Sequence, residues 1–514
     1  MLPVSAGLRP ALHSVGSLPS LATAHPPRTA ALLHRWQHQA AGLLLGLLTA
    51  FTTVQAAPAP VAEAIPPHIA QTLERISAER IARRIESLVA FKTRHTLSDT
   101  TSETEGIGAA RRWIQRELQA CAKASGSRLQ VTMDEYEEPA GRRLPRPVTL
   151  VNVVATLPGT AEMGKSRTLV VSGHYDSRNS DVMNATDAAP GANDDASGVA
   201  ATMELACAMA PYTFDATLVF MAVAGEEQGL LGATHWATNA RAQGINVEAM
   251  VTNDIIGSPQ GDAGQNDPQQ VRLFADGFDP FLRMLLRANA NQAPTDTANN
   301  GPSESTLKFL QQLALAGGTE DLPTHQLGRH IKVMGERYLP GFKVNLIQRR
   351  DRYLRGGDHL PFLDRGFAAV RLSEPFENFK HQHQNVRTEN GVRYGDLAEF
   401  VDPNYIANVA RVNAVALATL ANAPVAPRNV KLEAIELDNN STLRWDANPE
   451  PDIQGYRIVW RTTGSAEWTH AQDVGLVTRA TVVGVSKDNV VFGLQALNAR
   501  GYVSLTSFPL PLSR

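Results

Sequence analysis

Apolar positions change rhythm several times along the chain, and each change predicts a different kind of element. The first long apolar run, Ala40 to Phe51 (AAGLLLGLLTAF), follows Arg28 and Arg35 and ends before Val54-Gln55-Ala56. At roughly 12 residues it falls short of the ~20 that span a bilayer, and the small residues at Val54 and Ala56 suit cleavage before Ala57. Residues 1–56 therefore read as a signal peptide and residues 57–68, which open with Ala57-Pro58-Ala59-Pro60, as a linker. Export to a secreted or periplasmic location is expected, and a permanent membrane anchor is not. Helical spacing follows over Ala78 to Phe91 and over Gly106 to Ala124, where Ile107, Ala110, Ile114, Leu118 and Cys121 fall on one face.

Short β-rich apolar runs then alternate with helical stretches: Leu150 to Leu157, Thr168 to Ser172, Thr217 to Ala224, Ala249 to Asn253, Lys343 to Gln348 and Ala368 to Ser373. This alternation predicts an α/β domain over 69–422, with a mostly parallel mixed sheet flanked by helices. Two polar stretches rich in Gly, Pro and Asn, Ser258 to Gln270 and Asn289 to Ser305, read as surface loops. After Asn422-Ala423-Pro424-Val425-Ala426-Pro427 the helical period disappears and turn signals recur, which predicts a small all-β sandwich over 427–514. Trp445, the run Gly455 to Trp460, and Phe492, Leu494, Ala496 and Asn498 resemble a fibronectin type III domain, with Val490 where that family usually carries tyrosine.

Composition narrows the function. At 514 residues, 43% hydrophobic and 19% charged, the chain is globular and long enough for two domains. Its 48 basic and 51 acidic residues give a net charge of −3 with no long run of one sign, so no nucleic-acid partner is expected. Two cysteines exclude a four-thiolate zinc site, an iron–sulfur cluster and a disulfide framework. Cys121 and Cys207 both fall on apolar helical faces and read as core residues, a mutual bridge being the alternative open to an exported chain.

Candidate chemistry sits just past the predicted strand ends, where open α/β sheets place their ligands. His174 and Asp176 follow the Thr168 run; imidazole is a good zinc ligand, and a nearby carboxylate can fix its tautomer. Asp194 and Asp195 lie in a Gly-flanked turn that opens an apolar helix, and capping accounts for only one of them. Glu226 and Glu227 follow the Thr217 run, where adjacent carboxylates repel unless a cation or proton compensates. Asp254 ends the Ala249 run, and His381 and His383 lie in a late histidine-rich stretch. Imidazoles and carboxylates without thiolate suit a hydrolytic zinc pair.

These motifs resemble the M28 zinc metallopeptidases, which include leucine-type aminopeptidases. The likeness rests on His174-Tyr175-Asp176-Ser177, Pro190 to Gly198, Gly225-Glu226-Glu227 and Asn253-Asp254, at steps of 20 (174 to 194), 33 (194 to 227) and 27 (227 to 254). It implies two zinc ions: His174 and Asp254 on one, Glu227 and a late histidine on the other, Asp194 bridging. It also implies a cis peptide between Asp194 and Asp195, Glu226 as general base and Asp176 as the partner that orients His174. Where the family shows His-Thr-x-x-Asp, this chain has His381-Gln382-His383-Gln384-Asn385; matching Asn385 to the family's Asp selects His381, with His383 as the other candidate. Three ligand carboxylates against two divalent ions leave a net positive centre, and Glu226 is held beside it without having to bind metal. The expected activity is peptide-bond hydrolysis on peptide or protein substrates, with an aminopeptidase first in order. Carboxypeptidase or glutaminyl cyclase chemistry and a non-enzymatic binding module are the alternatives, the last disfavoured by Glu226. Gly357 to Phe362 resembles another loop of the family near the active site and is given no role.

Overall fold

Apolar runs long enough to be covered on both faces form the centre of one eight-stranded sheet. The computed structural model describes residues 66–126, 128–276 and 304–512; the predicted leader and most of the linker lie outside them. In chain order come α1 (Pro67–Arg75), α2 (Ala78–Val89), α3 (Gly106–Ala124), β1 (Gln130–Glu138), β2 (Val148–Leu157) and β3 (Arg167–His174). They are followed by α4 (Ala196–Met209), β4 (Thr217–Val223), α5 (Leu231–Ala242), β5 (Asn246–Asn253) and β6 (Gln270–Phe274). After α6 (Glu304–Leu315) and α7 (Pro323–Tyr338) come β7 (Lys343–Ile347), α8 (His359–Asp364), β8 (Ala369–Ser373), the short pair β9 (Arg387–Glu389) and β10 (Val392–Tyr394), and α9 (Pro403–Ala421).

The strands lie in the order β1-β2-β4-β3-β5-β8-β6-β7. β4, β3, β5 and β8 run parallel to their neighbours in that series, while β1–β2, β2–β4 and β6–β8 pair antiparallel, so the sheet is mixed with a parallel centre. Alternation along β3 sorts the two faces. Leu169 and Val171 join a core with α4 and α9, whereas Val170 packs with Ala233 and Ala237 of α5 and Phe362 of α8. β1 and β6 are not legible as apolar runs: β1 (QVTMDEYEE) is a half-exposed edge strand, and β6 spans five residues directly after a polar loop.

The cysteine reading is corrected here. Cys121 on α3 and Cys207 on α4 form a disulfide rather than two separate core thiols, because the two helices pack side by side. Among the described residues no helix is long and apolar enough to cross a membrane.

Seven strands follow α9: β11 (Lys431–Leu432), β12 (Ser441–Arg444), β13 (Ile453–Thr462), β14 (His470–Gly475), β15 (Arg479–Val482), β16 (Val490–Asn498) and β17 (Leu510–Pro511). They make two sheets, β15-β12-β11-β17 and β14-β13-β16, which share one core of Leu443, Trp445, Tyr456, Ile458, Val482, Phe492 and Leu494. This region is joined to the α/β part by buried polar contacts. Arg461 and Arg329 both pair with Asp321, at 2.7 and 3.0 Å, and Asn498 donates to the main-chain oxygen of Asn422 at 2.9 Å. Tyr502 and Leu505 belong to the main α/β core.

Candidate metal centre

The carboxyl ends of β3, β4 and β5 lie side by side, so the residues that follow each strand converge without any long excursion of the chain. His174 is the last residue of β3, Glu226 and Glu227 form the turn after β4, and Asp254 directly follows β5. Asp194 arrives from the loop ahead of α4. Only glycine at 198 lets the first turn of α4 lie on β5, since a Cβ there would sit 2.1 Å from the main-chain oxygen of Asn253.

The two acids of that loop divide their work. Asp195 caps α4 by accepting from the Gly198 amide at 2.9 Å, and its other oxygen accepts from the His174 amide at 3.0 Å. Asp194, joined to it by a cis peptide, turns towards the histidines. The amides of Asn193 and Asp194 each donate to Asp396 at 2.7 Å, which clamps the turn from beneath. Burial pushes the Asp396 carboxyl up to about 7.

Two groups of possible ligands result, His174 with Asp194 and Asp254, and Asp194 with Glu227 and His383; within each, one ligand atom per residue lies within 4.8 Å of the others. His174 Nε2 is 3.1 Å from Asp194 and 3.9 Å from Asp254. His383 Nε2 is 2.9 Å from both Asp194 and Glu227. His174 Nδ1 faces the main-chain oxygen of Asp176 at 3.1 Å and its carboxylate at 3.6 Å. If Nδ1 carries the proton it donates there, Nε2 presents a lone pair to carboxylate oxygens, an arrangement stable only with a cation or an extra proton between them. The donor set, imidazole nitrogens and carboxylate oxygens without thiolate, therefore fits zinc, and Asp194 belongs to both groups.

Titration behaviour has the same cause. Burial opposes protonation of His383, but Glu227 and Asp194 outweigh it and push the imidazole up to about 10. His174 is likewise raised, burial being overcome by Asp176 and Asp194. Burial pushes Glu226 well above the ordinary carboxylate range, with Asp254, Glu227 and Asp358 adding to it against His174. Burial also raises Asp254, although Arg371 lies 2.9 Å away.

Asp176 does more than face His174. Its two oxygens accept from the amides of Glu226 at 3.2 Å and Glu227 at 3.1 Å, and Thr96 donates to it at 3.0 Å. One buried carboxylate thus sets both the imidazole and the acidic turn.

The structure brings His383, rather than the His381 that the register of Asn385 selects, into the second group of possible ligands; the His381 ring stacks on Phe400 at 3.7 Å. Asn385, which set the register for His381, accepts from Ser180. The loop reaches its position through a left-handed His383 (φ 54°) and a hydrogen bond from Gln382 to Asp194 at 3.2 Å, neither visible in a linear motif. Sequence reasoning also missed Asp396, Arg371, Gln382 and the fully buried Arg94, which donates to the main-chain oxygens of Tyr175, Pro190 and Gly191. A charge inside the apolar strand Ala369–Ser373 was the one local signal, for Arg371. Asp358 is fully buried, and burial pushes it up to about 7 while its carboxylate oxygens make no hydrogen bond.

Glu226, Glu227, Asp194, Asp254 and His383 line a cavity of about 330 Å³. The profile of "Peptidase family M28" matches residues 152–312. A probable zinc metalloprotease of Pyrenophora tritici-repentis is 44% identical over 439 residues, covering 85% of this chain and 86% of its own length. One from Pyricularia oryzae is 45% identical over 444 residues, covering 85% and 84%. Among solved structures, the LapA aminopeptidase of Legionella pneumophila is similar at a TM-score of 0.46 and 17% identity, over 72% of this chain and 78% of that one. A Fimbriiglobus ruber glutaminyl cyclase is similar at 0.43 and 18%, over 70% and 98%. With this extent of identity to its curated relatives and with the profile match, the chain belongs to peptidase family M28.

Proposed function

We propose that this chain is an exported dizinc exopeptidase that releases residues from the N-termini of peptides and proteins. His174 and Asp254 would hold one zinc, Glu227 and His383 the other, with Asp194 a member of both ligand groups. The observation that carries the reading is the pair of overlapping ligand groups with Glu226, a member of neither, on the cavity wall next to Glu227. Bound zinc supplies polarisation of the scissile carbonyl and acidification of water.

The chain's own residues do the rest. Asp176 fixes the turn so that Glu227 points to His383 while Glu226 is left for proton transfer. Glu226, on the cavity wall beside the ligand groups but a member of neither, is placed to take a proton from the attacking water and hand it to the leaving amine. A cavity of about 330 Å³ is at the lower end of small-ligand pockets, roughly 300–1,000 Å³, which favours a chain end over an extended segment. Export is supported by the Cys121–Cys207 disulfide and the predicted leader, and the paired sheets after α9 are read as a fibronectin-like accessory domain.

The test is a panel of fluorogenic aminoacyl substrates with free and blocked N-termini. Free substrates should be cleaved, chelator should abolish cleavage, and two zinc ions per chain should restore it. Equal cleavage of blocked substrates would overturn N-terminal release, and cyclisation without hydrolysis would point to a glutaminyl cyclase.

A further inference from the structure

Besides its acids, the cavity over the ligand groups is lined by four arginines, Arg143, Arg178, Arg352 and Arg355, while Leu230 and Ile255 are its apolar side chains. A pocket for leucine-like side chains would need the opposite balance. The arginines come from three separate places: the β1–β2 connection, the loop after β3 and the segment before α8.

Their partners do not account for their number. Arg352 is anchored, on Asp351, Glu377 and the main-chain oxygen of Gly356. Arg355 shares the same Glu377 and donates to Gln382 at 2.8 Å. Arg272 also pairs with Glu377 at 3.0 Å, so one carboxylate serves three guanidiniums. Burial would raise Glu377, yet Arg352, Arg355 and Arg272 hold it down at about 2. Arg143 makes its hydrogen bond to the main-chain oxygen of Glu227 at 2.6 Å, with no carboxylate within ion-pair distance among the described residues. Arg178 lies 3.7 Å from Glu227, and its Nε makes no hydrogen bond.

The lining carries four guanidiniums against the carboxylates of Asp194, Glu226, Glu227 and Asp254. Two divalent cations on the ligand groups would cancel those four negative charges, leaving a partly open cavity whose wall carries four positive side chains, Arg352 and Arg355 sharing Glu377 and Arg143 having no carboxylate partner among the described residues. Guanidinium donors in a fork match a carboxylate and are worth most where water is partly excluded.

We propose that the pocket takes substrates bearing a carboxylate next to the scissile bond, either the acidic side chain of the released residue or the free α-carboxylate of a short peptide. This rests on the peptidase reading above. Arg143 and Arg355, both half-buried at the wall and less anchored than Arg352, are the specificity-determining residues.

Zinc-loaded Glu226→Gln protein, which retains the pocket, is titrated calorimetrically with two matched pairs. These are glutamyl-alaninamide against glutaminyl-alaninamide, and alanyl-alanine against alanyl-alaninamide; the wild type is assayed on the same peptides. In at least one pair the carboxylate member should bind about tenfold tighter, and the pair that does so identifies the source. Adding Arg143→Met or Arg355→Met should remove most of that advantage, with zinc content and the unfolding temperature measured alongside to exclude misfolding. Equal or undetectable binding of both members in both pairs overturns the proposal. If the zinc-loaded wild type cleaves neither these peptides nor the aminoacyl panel, the peptidase reading fails, while the titrations still decide the carboxylate preference.

Discussion

Two buried clusters of charge sit in this molecule and are balanced in different ways. Where α7 meets the C-terminal strands, Asp321 is held by Arg329 and Arg461, and both guanidiniums lie over Trp468. Of the spare donors there, Arg329 Nε reaches the main-chain oxygen of Ala466 and Arg461 Nη1 that of Ser465, while Arg329 Nη2 and Arg461 Nε make no hydrogen bond. At the carboxyl edge of the sheet, carboxylates gather in excess, and the two imidazoles among them turn their Nε2 atoms to oxygens. Left-handed backbone at Leu230, Ile255 and His383 adds strain of about 1–2 kcal/mol per residue around that cavity. Burial of charge alone therefore does not mark a site. A buried excess of one sign that the protein leaves for a cation to balance does.

The contrast breaks most visibly at the paired glutamates. Glu226→Gln should lower kcat by about 10²- to 10⁴-fold with both zinc ions retained, since only a base is lost. Glu227→Gln should lose zinc together with activity, because an amide is the poorer ligand. Metal analysis beside kinetics separates the two, and a metal-loaded Glu226→Gln protein with full activity would remove Glu226 as base.

At the other cluster, Asp321→Ala should destabilise the fold by about 3–5 kcal/mol, because Arg329 and Arg461 lose their shared counter-ion in a buried place. Zinc content should not change. Denaturant unfolding measures the first and metal analysis the second; loss of zinc without loss of stability would dissolve the distinction drawn here.

The same cluster predicts a pH dependence. Burial, with Arg329 and Arg461 nearby, pushes His325 down to about 3, so the folded state keeps it neutral while the unfolded chain protonates it near 6.5. Its stabilising contribution is thus complete above pH 6.5 and is lost as pH falls towards 3, by up to about 1.4 kcal/mol per pH unit. His325→Gln should flatten that part of the stability profile, and an unchanged slope would show that another group governs it.

The smallest expected effect is at His381. His381→Ala removes a ring stacked on Phe400 and should cost no more than about 1 kcal/mol, with zinc retained, whereas His383→Ala should strip a ligand. Zinc content of the two variants checks the proposed assignment; loss of metal from His381→Ala alone would favour the register that Asn385 sets.

Much of this was legible because it is local. β3, β4 and β5 read as apolar runs, and a residue that follows a buried parallel strand has little freedom over which edge of the sheet it reaches. That is why His174, Glu227 and Asp254 come together in the structure as neighbours. Asp194 was legible for a related reason: one acid of the Asp194-Asp195 pair is used up by capping α4, which leaves the other over.

What the sequence determined by itself was therefore a parallel α/β centre, the order of its motifs and the acids at its strand ends, all set by periodicity over a few residues. Tertiary structure alone decided the rest. The choice of His383 depends on a loop turned by one left-handed residue and tied by Gln382 to Asp194, far away in sequence. The bridge between Cys121 and Cys207 required α3 and α4 to pack together, because both positions carry the same apolar signature whether bridged or free. The four cavity arginines look like ordinary surface charge in the linear text; only folding brings three distant segments around one cavity and makes their positive charge collective.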